Sequence, residues 1–487
     1  MDVTVALLVI AVIYGILLFF DNFFKTCMHY PYIRFLEETG IQLKFFSVCW
    51  KTKAFNRSLI RWGNSNPRYL KIWFKIGTYV TFVLLPFSLV LLLYSILVNF
   101  SSTDSGSSQF VLQPVLPGIN LPASELAYYS LTLILCTVVH ELGHAIAAVL
   151  YDVNIIDVGA NIVFVLPFAY VNLCTERFLA LRPTHTLKIL CAGVWHNIVL
   201  SVVALLLYFM LPTLFSVFFH LNSGVAITEI AKNSHLAGSK GLNIGDTVFQ
   251  INECDVRDEN SWYKCLAQTD ILKPAFCIEP DLIHQYDESI PLKHIGEGHI
   301  ECCESNKKEN VCFEYLDPAD GILELPSHVC LPARRVVERS EHFCSSTPYI
   351  CPTNLYCFRP ILANSTNLFK ISTETKDVIY LGLVSDLYRT IHVSSYIPKY
   401  FFKTPTLPDA VTKFLKYVTI MSLGLAIINV LPCKFMDGQY ITEMLALILF
   451  KSHFGESNVK LATSVVNVLF TIIIVCYCVY SLSKSLL

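Results

Sequence analysis

LAYYSLTLILCTVVHELGHAIAAVLY, residues 126–151, decides the architecture of this chain. The stretch is long and apolar enough to cross a bilayer as one helix. At its centre stand His140, Glu141 and His144. Two histidines at i and i+4 share one face of an α-helix about one turn apart, the separation at which two imidazoles can hold one zinc ion. Glu141 lies one position round, placed for proton transfer rather than for the metal. It is the only charged residue between Leu126 and Tyr151. A carboxylate at that depth is costly unless a partner compensates it, so an intramembrane glutamate is read first as functional and only second as a merely buried, hydrogen-bonded group.

The rest of the chain agrees with a membrane setting. Of 487 residues, 54% are hydrophobic and 15% charged, against about 25% charged in soluble domains. Mean hydropathy is +0.53. The net charge of −2 averages over different compartments and says nothing of partners. No basic and aromatic surface pattern suggests nucleic-acid binding.

Val3 to Phe20 reads as a retained first span, because Met1-Asp2 lacks the basic start of a cleaved leader. Residues 21–75 carry ten Lys or Arg against Asp21, Glu37 and Glu38, which places this segment in the cytosol and the N-terminus in the lumen. Ile76 to Asn99 is a second span, kinked at Pro86, and leads to a Ser-rich lumenal loop. The helix bearing His140 then returns towards the cytosol. Val158 to Thr175, broken by Gly159 and Pro167, suits a hairpin or re-entrant element. Ile189 to Phe219, Tyr417 to Cys433 and Leu461 to Ser483 are further spans. Tyr440 to Phe450 is too short to cross alone.

Residues 220–410 form one hydrophilic block. Gly224 to Ile227 and Gly241-Leu-Asn-Ile-Gly-Asp-Thr-Val-Phe-Gln-Ile-Asn252 alternate apolar and polar residues between glycine turns, as short strands do. The second of these is similar to a PDZ module, with Asp377 to Ser385 as a closing strand. Ten of the 18 cysteines fall between Cys254 and Cys357. That density implies disulfides and an oxidising lumen rather than a zinc knuckle, since no Cys-x-x-Cys pair occurs. Asn364 begins a glycosylation acceptor there; Asn56, on the cytosolic side, should be silent.

Two histidines leave a catalytic zinc one protein ligand short. Asp437, beside the helix breakers Pro432 and Gly438, is the best candidate, at the membrane level that the orientation gives His140 and His144. An Asp that merely caps a helix is the plainer alternative. His196 and a Cys433 thiolate are rival ligands. Zinc with these ligands would activate water, with Glu141 as general base.

These elements together resemble the site-2 protease family, in its animal form. The matching parts are the helix with His140-Glu141-x-x-His144, the Gly193-x-x-x-Asn197 pair, the segment Asn429-x-x-Pro432-x-x-x-Met436-Asp437-Gly438 and the PDZ-like block. Met436 stands where the family usually has Leu, a volume-conserving exchange. The resemblance implies that His140, His144 and Asp437 hold zinc, that Glu141 is the general base and that Asn197 binds near the substrate backbone. It implies hydrolysis within the transmembrane helix of membrane-anchored transcription factors already cut by site-1 protease, such as sterol regulatory element-binding proteins and the unfolded-protein-response sensor, in the Golgi or endoplasmic reticulum.

The expected fold is a polytopic α-helical membrane protein with an intramembrane zinc metalloprotease core and a lumenal PDZ-like β domain carrying a cysteine-rich insertion. Its parts are residues 1–125, the first half of the core at 126–219, the block 220–410 with its insertion 254–357, and 411–487. A non-catalytic membrane scaffold with a structural metal would leave Glu141 dispensable. A metal transporter would need more intramembrane carboxylates than Glu141, Asp437 and Glu443.

Overall fold

The structure is a computed structural model. It describes residues 3–486 apart from 102–124, 165, 233, 235, 237, 239–240, 296–298, 305–308, 317–324, 346–348, 363–365 and 400–403. Asn364 and most of the Ser-rich loop lie outside the described residues.

Among the described residues, six helices are long and apolar enough to cross a membrane: Leu8–Thr26, Pro67–Asn99, Leu126–Leu150, Pro183–Phe215, Thr406–Val430 and Glu456–Lys484. The protein is therefore an integral membrane protein. Leu126–Leu150, the central helix, has 44% of its apolar window buried, against 11–22% in the other five. Its small residues allow this: Ala145, Ala147 and Ala148 are at most 1% exposed, and Val149 packs where a Cβ on Gly63 would come within 2.6 Å.

The chain divides into two compact units, Met1–Phe209 with Lys413–Leu487, and Met210–Thr412. In the first, the hairpin expected between residues 158 and 175 forms as β3 (Ile155–Val163) and β4 (Leu166–Leu173). It does not stand alone. Two short strands of the basic segment, β1 (Ile41–Lys44) and β2 (Ser47–Thr52), extend it into an antiparallel sheet of order β1-β2-β3-β4. The basic segment is thus joined to the hairpin, because Ser47 to Thr52 pairs with Val163 to Val158. Gly159 permits this close approach, since a Cβ there would lie 2.0 Å from the Trp50 carbonyl oxygen. The Tyr14 hydroxyl donates to the Phe164 carbonyl at 2.9 Å, tying the first helix to the hairpin turn.

Among the described residues, the outer edge of β4 carries no further strand. It lies along the central helix, where the Ala169 N–H donates to the Thr137 hydroxyl at 3.2 Å and the Val171 N–H to the Glu141 carboxylate at 3.0 Å. Backbone donors that water would otherwise satisfy are met by two side chains of that helix.

The second unit has two sheets, each over a hydrophobic core. Asp377–Leu383, Thr366–Thr373, Thr247–Ile251, Val225–Ile230 and Ile391–Ser394 form one sheet in that order, with Cys254–Asp255 pairing at Thr247–Ile251. The helix Glu259–Leu272, started by an Asp258 and Ser261 capping box, buries Trp262 and Leu266 against this sheet. A second sheet, of His328–Pro332, Asn310–Tyr315, Tyr356–Ile361 and Phe276–Ile278, covers its own core around Phe313 and Phe358.

All ten cysteines from Cys254 to Cys357 are in disulfides: 254–265, 277–351, 302–312, 303–330 and 344–357. The first of these lies on the first core, because the helix that carries Cys265 packs there. The remaining eight cysteines are free thiols.

Candidate metal centre

The central helix brings His140 and His144 one turn apart, with ring centroids separated by 4.8 Å. Asp437 arrives from 297 residues further on. The helix Thr406–Val430 stops before Pro432, the chain turns through Phe435 at φ +71°, and Asp437 opens the helix Asp437–Phe454. Gly438 is required by this bend, since a Cβ there would stand 2.0 Å from the Leu431 carbonyl oxygen.

Asp437 Oδ2 lies 2.9 Å from His140 Nε2 and 3.2 Å from His144 Nε2, and the two Nε2 atoms are 3.1 Å apart. Bonds of about 2 Å to one tetrahedral ion would set such edges at roughly 3.3 Å. The donor set fits a metal on chemical grounds too. His144 Nδ1–H donates to the Ile189 carbonyl at 2.8 Å, which in the neutral ring leaves Nε2 as a bare lone pair. That lone pair faces a second imidazole nitrogen and a carboxylate oxygen, a repulsive arrangement unless a cation joins them. Gly193, on the helix Pro183–Phe215, closes the space behind: a Cβ there would be 2.3 Å from His144 Nε2 and 2.6 Å from His140 Nε2.

Asn197, one turn on from Gly193, is fully buried behind His140, with Nδ2 3.2 Å from His140 Nδ1. Its Oδ1 has no partner among the described residues, whereas an imidazole that binds metal through Nε2 carries its proton on Nδ1 and needs an acceptor. Turning the amide over, an assignment that only the hydrogen-bond network decides, sets Oδ1 against that N–H. The Ser422 hydroxyl, itself buried, donates to the Asn197 carbonyl at 2.9 Å. Asn197→Ala is expected to weaken metal affinity about 10- to 100-fold, while Asn197→Asp, which keeps an acceptor, recovers most of it. Competition with a metal chelator measures both; unchanged affinity in the alanine variant would remove this role.

The rival ligands stand elsewhere. His196 Nδ1–H donates to the Ala192 carbonyl at 2.9 Å and its ring packs on Phe74. Cys433 is buried with Leu92, Leu431 and Tyr477. Another close trio, Cys277, Cys344 and Cys351, is committed to disulfides. Lys434 sends its side chain outward, while its N–H donates to the Thr471 hydroxyl at 2.9 Å. It places no charge on the ligands.

Glu141 borders a cavity of about 490 Å³ whose other walls include Trp50, Leu59, Trp62, Ile134 and Tyr170. The cavity lies against the edge of β4 and is almost wholly apolar, as a compartment for a lipid-soluble chain segment would be. The bond from Val171 N–H to Glu141 escapes sequence reading, because no local pattern marks which strand edge a helix will cover.

The sequence profile of Peptidase family M50 matches residues 128–474, which takes in the central helix, both histidines, Glu141 and Asp437. The chain is a member of peptidase family M50. It is similar to the membrane-bound transcription factor site-2 protease homolog of Arabidopsis thaliana, 23% identical over 443 residues that cover 82% of this chain and 85% of that protein. Family M50 membership makes the chain a metallopeptidase, and its six apolar helices place that activity in an integral membrane protein.

Proposed function

We propose that the protein is an intramembrane zinc endopeptidase that cuts within the transmembrane helix of membrane-anchored transcription factor precursors, after a first lumenal cut, and releases a cytosolic fragment. The observation that carries this is the convergence of His140, His144 and Asp437, with Glu141 in the helix turn between the two histidines. The relative named as a transcription factor site-2 protease supports the substrate class. The ten paired cysteines support an oxidising, lumenal setting for the second unit, in the Golgi or endoplasmic reticulum. We read its first sheet as PDZ-like and the second as the insertion.

His140, His144 and Asp437 would hold zinc, which when bound supplies Lewis-acid polarisation of the scissile carbonyl. Asn197 and the Ile189 carbonyl fix the two imidazoles. Glu141 takes a proton from the attacking water and passes it to the leaving amine.

A substrate helix must first unwind, because its carbonyls are already hydrogen-bonded. An extended segment laid along β4 would find the N–H groups of Ala169 and Val171 there. In taking the Val171 N–H, it releases the Glu141 carboxylate for chemistry.

The test is purified chain in liposomes with a single-span substrate helix, its products measured by mass. Cleavage inside the apolar segment, abolished by 1,10-phenanthroline and restored by zinc, is expected. A cut confined to the polar flanks, or one indifferent to the chelator, would contradict the proposal.

A further inference from the structure

At the end of the first unit where the central helix stops and the helices Pro67–Ser101 and Pro183–Phe215 begin, a cavity of about 710 Å³ opens. Four cations border it: Lys71 and Lys75, one turn apart on the first of these helices, Arg177 on a short intervening helix, and Lys188. The one acid on its wall is Asp152. None of the four cations is in an ion pair among the described residues. Among the described residues Arg177 donates only to the Asp152 carbonyl, at 3.5 Å.

Tyr151, also on the wall, is 8% exposed, and its hydroxyl has no hydrogen-bond partner among the described residues. The ring is held in place: it stacks on His185 at 4.6 Å, and the Lys188 ammonium lies 5.5 Å from its centroid. The hydroxyl oxygen is itself closed to solvent, so the residue meets the cavity with its ring. Ile72, Leu150 and Leu181 supply an apolar side to the same space.

The geometry points to a binding site for a phosphoryl group, that of an anionic lipid whose headgroup meets the cations and whose glycerol end meets the apolar wall. Basic pockets between membrane helices are where such headgroups bind. The cavity also lies close to the metal centre along the chain. Lys188 precedes Ile189, whose carbonyl holds His144, and Tyr151 follows His144 by two helical turns.

The full chain in detergent is titrated with dioctanoyl phosphatidic acid, with dioctanoylglycerol as the probe that lacks the phosphoryl group, and with inorganic phosphate. Native mass spectrometry counts bound copies. Saturable binding of the phosphatidic acid alone is expected, weakened about ten-fold or more in Lys71→Gln/Lys188→Gln and unchanged in Lys451→Gln. Lys75→Gln/Arg177→Gln, both exposed positions, repeats the test should the first pair fail to fold. Displacement of the lipid by millimolar inorganic phosphate would assign the site to free phosphate; no displacement assigns it to lipid. Equal binding by wild type and both charge variants, or binding of dioctanoylglycerol as tight as that of phosphatidic acid, would overturn the site.

Discussion

Glu141→Gln is expected to retain its metal at the wild-type level and to lose peptide hydrolysis by roughly 10²- to 10⁴-fold, the usual contribution of a positioned general base. The two effects separate because Glu141 is not among the three converging ligand atoms. Its carboxylate instead accepts from the Val171 N–H at 3.0 Å. A glutamine oxygen can keep that bond, so fold and cavity should persist while the proton acceptor is gone. Release of the cytosolic fragment, scored beside the metal content of the same preparation, measures both. Equal release by the variant would remove Glu141 from the chemistry, whereas loss of metal together with activity would make it a structural support of the site.

Gly193→Ala should have an effect as large by a different route. The added Cβ would stand 2.3 Å from His144 Nε2 and 2.6 Å from His140 Nε2, and helix backbone on both sides leaves it little room to retreat. The imidazoles must turn away, so metal affinity is expected to fall about ten-fold or more and hydrolysis with it. Gly424→Ala is the comparison. A Cβ there meets nothing within 4 Å, and alanine is about 1 kcal/mol more favourable than glycine in a helix, so metal and activity should persist. Metal content and thermal midpoint on the two purified variants decide the matter. Normal metal in Gly193→Ala would show that the imidazoles are not held where the structure places them.

Much of this was legible because lipid imposes strong rules. An uncharged run with two histidines and one glutamate at its centre is conspicuous in a way that it would not be in a soluble core. The six apolar helices could be counted from composition alone. Asp437 could be singled out because Pro432 and Gly438 break the helix beside it, though its meeting with His140 across 297 residues is visible only in three dimensions.

Elements that depend on pairing at a distance were less legible. Ile41–Lys44 and Ser47–Thr52 are too short and too basic in their surroundings to announce strands, and their union with β3 rests on a register that no local pattern encodes. Asn197 is a similar case. Its spacing from Gly193 drew notice, but its full burial and its contact with His140 Nδ1 are visible only in three dimensions. The basic cavity draws Lys71, Lys75, Arg177 and Lys188 from three helices; in sequence they pass for the positive flanks that any membrane helix carries.

X-ray absorption at the zinc edge on the purified full chain reads directly whether a single zinc is held by two imidazoles and one carboxylate. One zinc per chain is expected, with only nitrogen and oxygen neighbours at about 2.0–2.2 Å and an imidazole scattering pattern from two rings. A shell of sulfur at about 2.3 Å, or a spectrum unchanged by Asp437→Ala, would contradict it.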